Sequence, residues 1–151
     1  MTAPEVATSL GRIRGSYLEE GIEVFKGIRY AEPPVGDYRW QPPRPIHAWS
    51  GTIDAVHFGP GCPQQALFSR NKAQHASMNE DCLRLNIWRP AASMALQKYP
   101  VMVWIHGGGF VSGTSSPARY SGKAFARSGV ILVSIDYRVG RLGFFAHPAL
   151  R

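Results

Sequence analysis

The sequence predicts an α/β domain, a mixed and mostly parallel sheet containing a βαβ unit, and three observations carry that reading. Val101-Met102-Val103-Trp104-Ile105 is a short continuous apolar run, the pattern of a strand buried on both faces. Val130-Ile131-Leu132-Val133-Ser134-Ile135 repeats the pattern. Between them lie a glycine triplet, Gly107-Gly108-Gly109, and a helix expected over about 118–128, closed by Gly129 in the C′ position. Strand, glycine loop, helix and strand in that order imply parallel pairing.

The elements before that unit are read in chain order. Arg12 to Tyr17 and Ile22 to Phe25 flank Glu19-Glu20-Gly21 and predict an N-terminal hairpin. Residues 33–45 are rich in proline and are excluded from central strand or helix, because proline lacks an N–H and fixes its own φ. Leu83, Leu85 and Ile87 then alternate with Arg84, Asn86 and Trp88, the period of a strand with one buried face, which Pro90 ends.

The 151 residues suffice for one domain with a core, and 44% hydrophobic against 18% charged residues is a globular composition. Net charge is +7, and after Asp81 a single acid, Asp136, faces nine Lys and Arg. These bases fall singly between apolar segments, without the clustered bases and interleaved aromatics of a nucleic-acid module, so no nucleic-acid partner is expected. Met1 to Gly11 has neither a basic leader nor an apolar run, and no stretch approaches the roughly 18 apolar residues of a membrane span. The expectation is a cytoplasmic protein without a membrane partner.

A glycine triplet after a buried strand lets backbone N–H groups face an anion. A dinucleotide fingerprint starting at Gly107 would need glycine at Ser112, and a Walker loop ending at Gly122-Lys123 would need glycine at Pro117, so both phosphate readings fail. The remaining ligand is the oxyanion of an acyl-transfer intermediate, and His106-Gly107-Gly108-Gly109 has the form of the oxyanion element on the loop after the third strand of lipases and esterases.

Other segments accompany it. They are Phe25-Lys26-Gly27-Ile28-Arg29-Tyr30-Ala31-Glu32-Pro33-Pro34-Val35-Gly36, Trp49-Ser50-Gly51 with Phe58-Gly59-Pro60-Gly61-Cys62-Pro63-Gln64, Glu80-Asp81-Cys82-Leu83-Arg84-Leu85-Asn86-Ile87-Trp88, and Asp136-Tyr137-Arg138-Val139-Gly140 before Leu142-Gly143-Phe144. In this order they resemble the landmarks of the type-B carboxylesterase family, which also contains the cholinesterases. The resemblance implies the N-terminal part of an α/β-hydrolase fold, a single incomplete domain over residues 1–151 that stops before the nucleophile elbow.

It also implies that the N–H groups of Gly108 and Gly109 are two of three oxyanion donors, the third following the nucleophilic serine. His106 would brace the loop rather than act as base. No serine here has glycine at both minus two and plus two, so serine, acid and histidine are expected outside this chain, which alone should be inactive. Ser112, Ser115 and Ser116 follow the loop without any nucleophile motif. The implied partner is a small-molecule ester, with no cofactor and no metal.

Cys62 and Cys82 occupy the positions of a loop-closing disulfide in secreted members, although two buried thiols are the default in a cytosolic chain. The loop between them has no tryptophan, which disfavours choline esters. Arg39 and Glu80 resemble an ion pair anchoring that loop, and Asp136 stands where the family commonly has Asn. Two alternatives stay open at this point: a non-catalytic adhesion protein of the same fold, and a short non-enzymatic gene product.

Overall fold

A computed structural model describes residues 2–18, 21–65, 77–91 and 98–150. Two sheets organise them. The smaller has three strands in the order β1-β2-β5, with β1 (Glu5–Ala7) antiparallel to β2 (Arg12–Arg14) and β2 parallel to β5 (Thr52–Asp54). The larger has five strands in the order β3-β4-β6-β8-β7, formed by β3 (Ser16–Leu18), β4 (Ile22–Arg29), β6 (Arg84–Pro90), β7 (Val101–Ile105) and β8 (Ile131–Ile135).

The sheet is mixed and carries the expected βαβ unit. β7 and β8 run parallel, from Val101 beside Ile131 to Ile105 beside Ile135, joined across α1 (Lys123–Arg127). The balance differs from the expected one: among the described residues the other ladders of this sheet, β3–β4, β4–β6 and β6–β8, are antiparallel.

Alternation along β4 makes the larger sheet the middle layer. Ile22 and Val24 point to one side, where they meet Trp88, Leu132 and Ala126 of α1. Phe25 points to the other, against Ile13 of the small sheet and Ala55 just beyond β5, with Trp49 and Ile87 packed around them. The covering of both faces explains why β6 departs from the expected single buried face. Asn86 and Trp88 are its most buried residues, at 1% and 2% exposure, under the α1 side, while Leu85 and Ile87 are half-buried.

Three further expectations are corrected. The segment Arg12 to Tyr17 is not one strand. It divides at Gly15, whose N–H donates to the Pro4 carbonyl, so β2 belongs to the small sheet and only β3 forms the hairpin with β4. The Glu19-Glu20 part of that turn lies outside the described residues. The helix over 118–128 is shorter: a 3-10 turn at Ala118–Tyr120 precedes α1, and between them glycine is needed at 122, where a side chain would strike Trp88 and Leu132. Its end is as read, with the Gly129 N–H donating to Ala126 and that of Val130 to Phe125, a Schellman closure. Finally β7 is not buried on both faces. Val101 is 60% exposed and Ile105 61%, because β8 is its only strand neighbour among the described residues.

Residues 33–45 hold neither strand nor α-helix, only a 3-10 turn at Gly36–Tyr38. Among the described residues no helix is long and apolar enough to cross a membrane.

Candidate active site

The parallel strands β7 and β8 end side by side, and their following loops, 106–113 and 136–143, open a crevice at their carboxyl ends, where α/β sheets bind ligands. A cavity of about 410 Å3 lies there, floored by the glycine loop and walled by Ile105, Ile135, Tyr137, Phe110 and Phe144. The Phe110 and Phe144 rings are 4.7 Å apart. Apolar walls around exposed backbone amides suit a neutral substrate that develops negative charge at one atom.

Close contacts or a left-handed backbone favour glycine at three positions of the loop, Gly113 among them. A Cβ on Gly108 would collide with the Ser112 carbonyl, and Gly109 has φ +60, the left-handed region. Phe110 shares that region at φ +63 and is held there by its carbonyl, which accepts the Gly140 N–H at 2.6 Å. The Gly108 carbonyl accepts the N–H groups of Val111 and Ser112, both at 3.1 Å. No acceptor among the described residues meets the N–H of Gly108 or Gly109. Backbone donors without a protein acceptor, at the floor of a cavity and on peptides whose carbonyls are held, are the arrangement that a preorganised anion site requires.

His106 lies under this loop at 3% exposure. Its ring stacks on Tyr137, centroids 4.3 Å apart, and the Tyr137 hydroxyl donates to the His106 carbonyl at 2.8 Å. Burial pushes the Tyr137 phenol up from its ordinary value. His106 Nδ1 meets the Gly107 carbonyl at 2.9 Å.

The serines after the loop are tied up. Ser115 is 1% exposed; its N–H and hydroxyl donate to the two carboxylate oxygens of Asp136 at 2.7 and 2.5 Å. That gives Asp136 a role the sequence did not reveal: it closes the far end of the loop onto β8. Asn86 joins the same network, donating to the hydroxyls of Ser115 and Ser134 at 2.9 and 3.1 Å. The Ser112 hydroxyl lies 3.5 Å from the Gly108 carbonyl, and that of Ser116 lies 3.3 Å from Thr114. None of the three has an imidazole partner among the described contacts.

Away from the crevice, Cys62 and Cys82 are buried free thiols beside Val139, whose N–H donates to Cys62 Sγ at 3.3 Å. The hydrogen bond to Cys62, with burial, pushes the Cys82 thiol up from its ordinary value. Arg39 grips Glu80 through two bonds of 2.7 Å. Sequence reasoning missed the next residue's cluster. Asp81 takes Arg29 at 2.6 Å and Arg84 at 2.7 Å on the same carboxylate, and only the charge signs in Glu80-Asp81 and Arg84 hinted at it. Burial alone would raise the Asp81 carboxyl, but the bonds from Arg29 and Arg84 outweigh it and hold it below the ordinary range. Among the described residues no His, Cys, Asp and Glu group could hold a metal ion.

The layered sheet and the amide-lined crevice at its parallel strand ends define part of an α/β-hydrolase. The chain belongs to the carboxylesterase family, whose model matches residues 2–149. It is 46% identical over 143 residues to the fumonisin B1 esterase of Sphingopyxis macrogoltabida, covering 95% of this chain and 26% of the relative. It is 40% identical over 146 residues to the para-nitrobenzyl esterase of Bacillus subtilis (strain 168), covering 95% of this chain and 29% of the relative. Among solved structures, a thermophilic PNB esterase superposes with TM-score 0.87 at 40% identity, over 98% of this chain and 30% of that one. The Geobacillus stearothermophilus carboxylesterase at pH 6.8 gives 0.79 at 45% identity, over 93% and 27%. The chain thus spans roughly a quarter to three tenths of the length of the proteins it matches.

Proposed function

We propose that this chain supplies the oxyanion-hole loop of a serine carboxylic ester hydrolase. In that reaction a serine attacks the ester carbonyl, and the carbonyl oxygen becomes an oxyanion that the N–H groups of Gly108 and Gly109 receive. A third donor comes from the residue after the nucleophile, and collapse of the intermediate expels the alcohol to leave an acyl-serine. The nucleophile, acid and base are not among the 151 residues, which hold no Gly-x-Ser-x-Gly. The chain by itself therefore does not hydrolyse esters by this route. The substrates are carboxylic esters of small or medium, uncharged alcohols, in keeping with the apolar walls of the crevice.

The observation that supports this reading most is the pair of amides with no acceptor among the described residues, on peptides whose carbonyls are already engaged. A chimera tests it: residues 2–149 replace the matching segment of the Bacillus para-nitrobenzyl esterase, and turnover of para-nitrophenyl acetate is measured. The chimera should be active, and Gly109→Val should lower its kcat by about a hundredfold or more, the usual effect of losing one donor. The isolated chain should show neither turnover nor labelling by a fluorophosphonate probe. A folded chimera whose kcat is unchanged by Gly109→Val, or a chain that the probe labels, overturns the reading.

A further inference from the structure

A glycine triplet is soft, so the direction of its N–H groups must be set from outside. In a trans peptide the C=O of one residue and the N–H of the next point opposite ways in one plane. Fixing a carbonyl therefore aims the following amide. The Gly109 amide is aimed within the loop, because Val111 and Ser112 hold the Gly108 carbonyl. The Gly108 amide depends on what holds the Gly107 carbonyl, and that is His106 Nδ1 at 2.9 Å. A carbonyl can only accept, so Nδ1 carries the proton. His106 Nε2 is buried and has no hydrogen-bond partner among the described residues.

The ring is held by its neighbours instead. Tyr137 stacks on one face. The backbone of Gly113 lies so close to the Nδ1 side of the ring that a Cβ there would collide with His106 Nδ1 and the Gly107 carbonyl together. Gly113 is in turn gripped by a side chain from far away in sequence. Gln64 Oε1 accepts the Gly113 N–H at 2.7 Å, and Gln64 Nε2 donates to the Gly113 carbonyl at 2.8 Å. The same Nε2 donates to the Cys62 carbonyl at 3.0 Å, which ties the amide to a segment already fixed by burial of Cys62 against Val139.

We infer that Gln64 is a positioning residue for the oxyanion site: it presses Gly113 onto His106, and so keeps the Gly107–Gly108 peptide turned with its N–H toward the crevice. This rests on the oxyanion reading above. The side chain must be an amide, since it meets an N–H with one end and two carbonyls with the other. A carboxylate would set like charge against both carbonyls, and an apolar chain would grip neither.

The test uses the active chimera and two variants, Gln64→Met, which keeps length and loses all three bonds, and Gln64→Glu, which keeps only the acceptor. Each should lower kcat about tenfold or more while KM stays within about twofold, because the lost interaction exists only when the oxyanion forms. Affinity for a trifluoromethyl ketone, whose adduct places an oxyanion in the hole, should fall by the same factor as kcat/KM. A merely structural role would not produce that parallel. Unchanged kcat and ketone affinity in Gln64→Met, with Gly109→Val still inactive, overturns the role of Gln64 and leaves the oxyanion reading standing. If Gly109→Val is neutral too, the oxyanion reading falls with it. A rise in KM at constant kcat, or failure of both Gln64 variants to fold, also overturns the proposal, because Gln64 would then hold the fold and not aim a donor.

Discussion

Replacing Asn86 with alanine removes the joint between three strands and the loop behind the crevice. Asn86 is 1% exposed at the centre of β6. Its Oδ1 accepts the Gly27 N–H at 2.9 Å, and that amide lies in the bulge of β4 between Phe25 and Ile28, where the ladder register breaks. Its Nδ2 serves the hydroxyls of Ser115 and Ser134. In the alanine variant the Gly27 N–H is orphaned away from water, which costs about 1–3 kcal/mol, and each lost hydroxyl bond adds about 0.5–1 kcal/mol. The expected loss is about 3 kcal/mol, equivalent to roughly 6–12 °C in Tm for a chain of this size. Asn86→Asp should be worse, because it sets a buried carboxylate beside a Ser115 hydroxyl already committed to Asp136. Urea unfolding at low protein concentration, followed by tryptophan emission, measures both. A loss below about 1 kcal/mol for the alanine variant refutes the reasoning, since it would mean that the bulge amide finds another acceptor at no cost.

Within the glycine loop, Gly108→Ala should damage kcat of the chimera more than Gly109→Ala. A Cβ at the first collides with the Ser112 carbonyl, whereas at the second it meets open space and only the left-handed backbone, worth roughly 1–2 kcal/mol; equal effects in steady-state kinetics contradict this. The depressed Asp81 carboxyl contributes stability that is complete above the ordinary carboxylate range near pH 4 and is lost as pH falls through its lower folded value. Asp81→Asn should therefore be less stable than the parent at pH 7 and converge with it at low pH; parallel curves across the acid range contradict the linkage. On β7, Val101, Met102, Val103 and Ile105 are 45–61% exposed. Covering them would return about half of the 1.5–3 kcal/mol of each side chain, roughly 3–6 kcal/mol in sum. The 151-residue chain should self-associate on size exclusion and Val103→Lys should shift it toward monomer; a monodisperse parent with a cooperative, high-temperature transition refutes this.

Features set by local rules were legible in the sequence. β7 falls on its apolar run, β8 begins one residue later than read, and Gly129 ends the helix by a rule that acts within a few residues. Features set by distant neighbours were not. The small sheet escaped because its strands are three residues long and its parallel β2–β5 pair joins segments far apart in sequence. The alternation along β6 reveals a period but not that the small sheet packs against Ile87 while α1 and β8 cover Trp88, so that both faces are covered. In the crevice, the glycines were visible as residue types with special backbone freedom. Gln64 stood in plain view after Cys62-Pro63, yet its two bonds to Gly113 span 49 residues and leave no periodic trace.

The order of strands in the larger sheet sets a schedule for the growing polypeptide. β6, β7 and β8 are made in that sequence, but β8 lies between the other two. β7 therefore leaves the ribosome before the strand that will seat it in the sheet. At about 5–20 residues per second, the stretch from 106 to 130 takes roughly one to five seconds to synthesise. For that interval the most apolar strand of the crevice waits beside a sheet it cannot yet join. The Asn86 and Trp88 face of β6 waits with it, and both become competent only when Leu132 and Ser134 arrive. A ribosome stall that leaves β7 outside the exit tunnel while β8 is still inside it would thus hold the chain at its stickiest point, and chaperone demand should peak there.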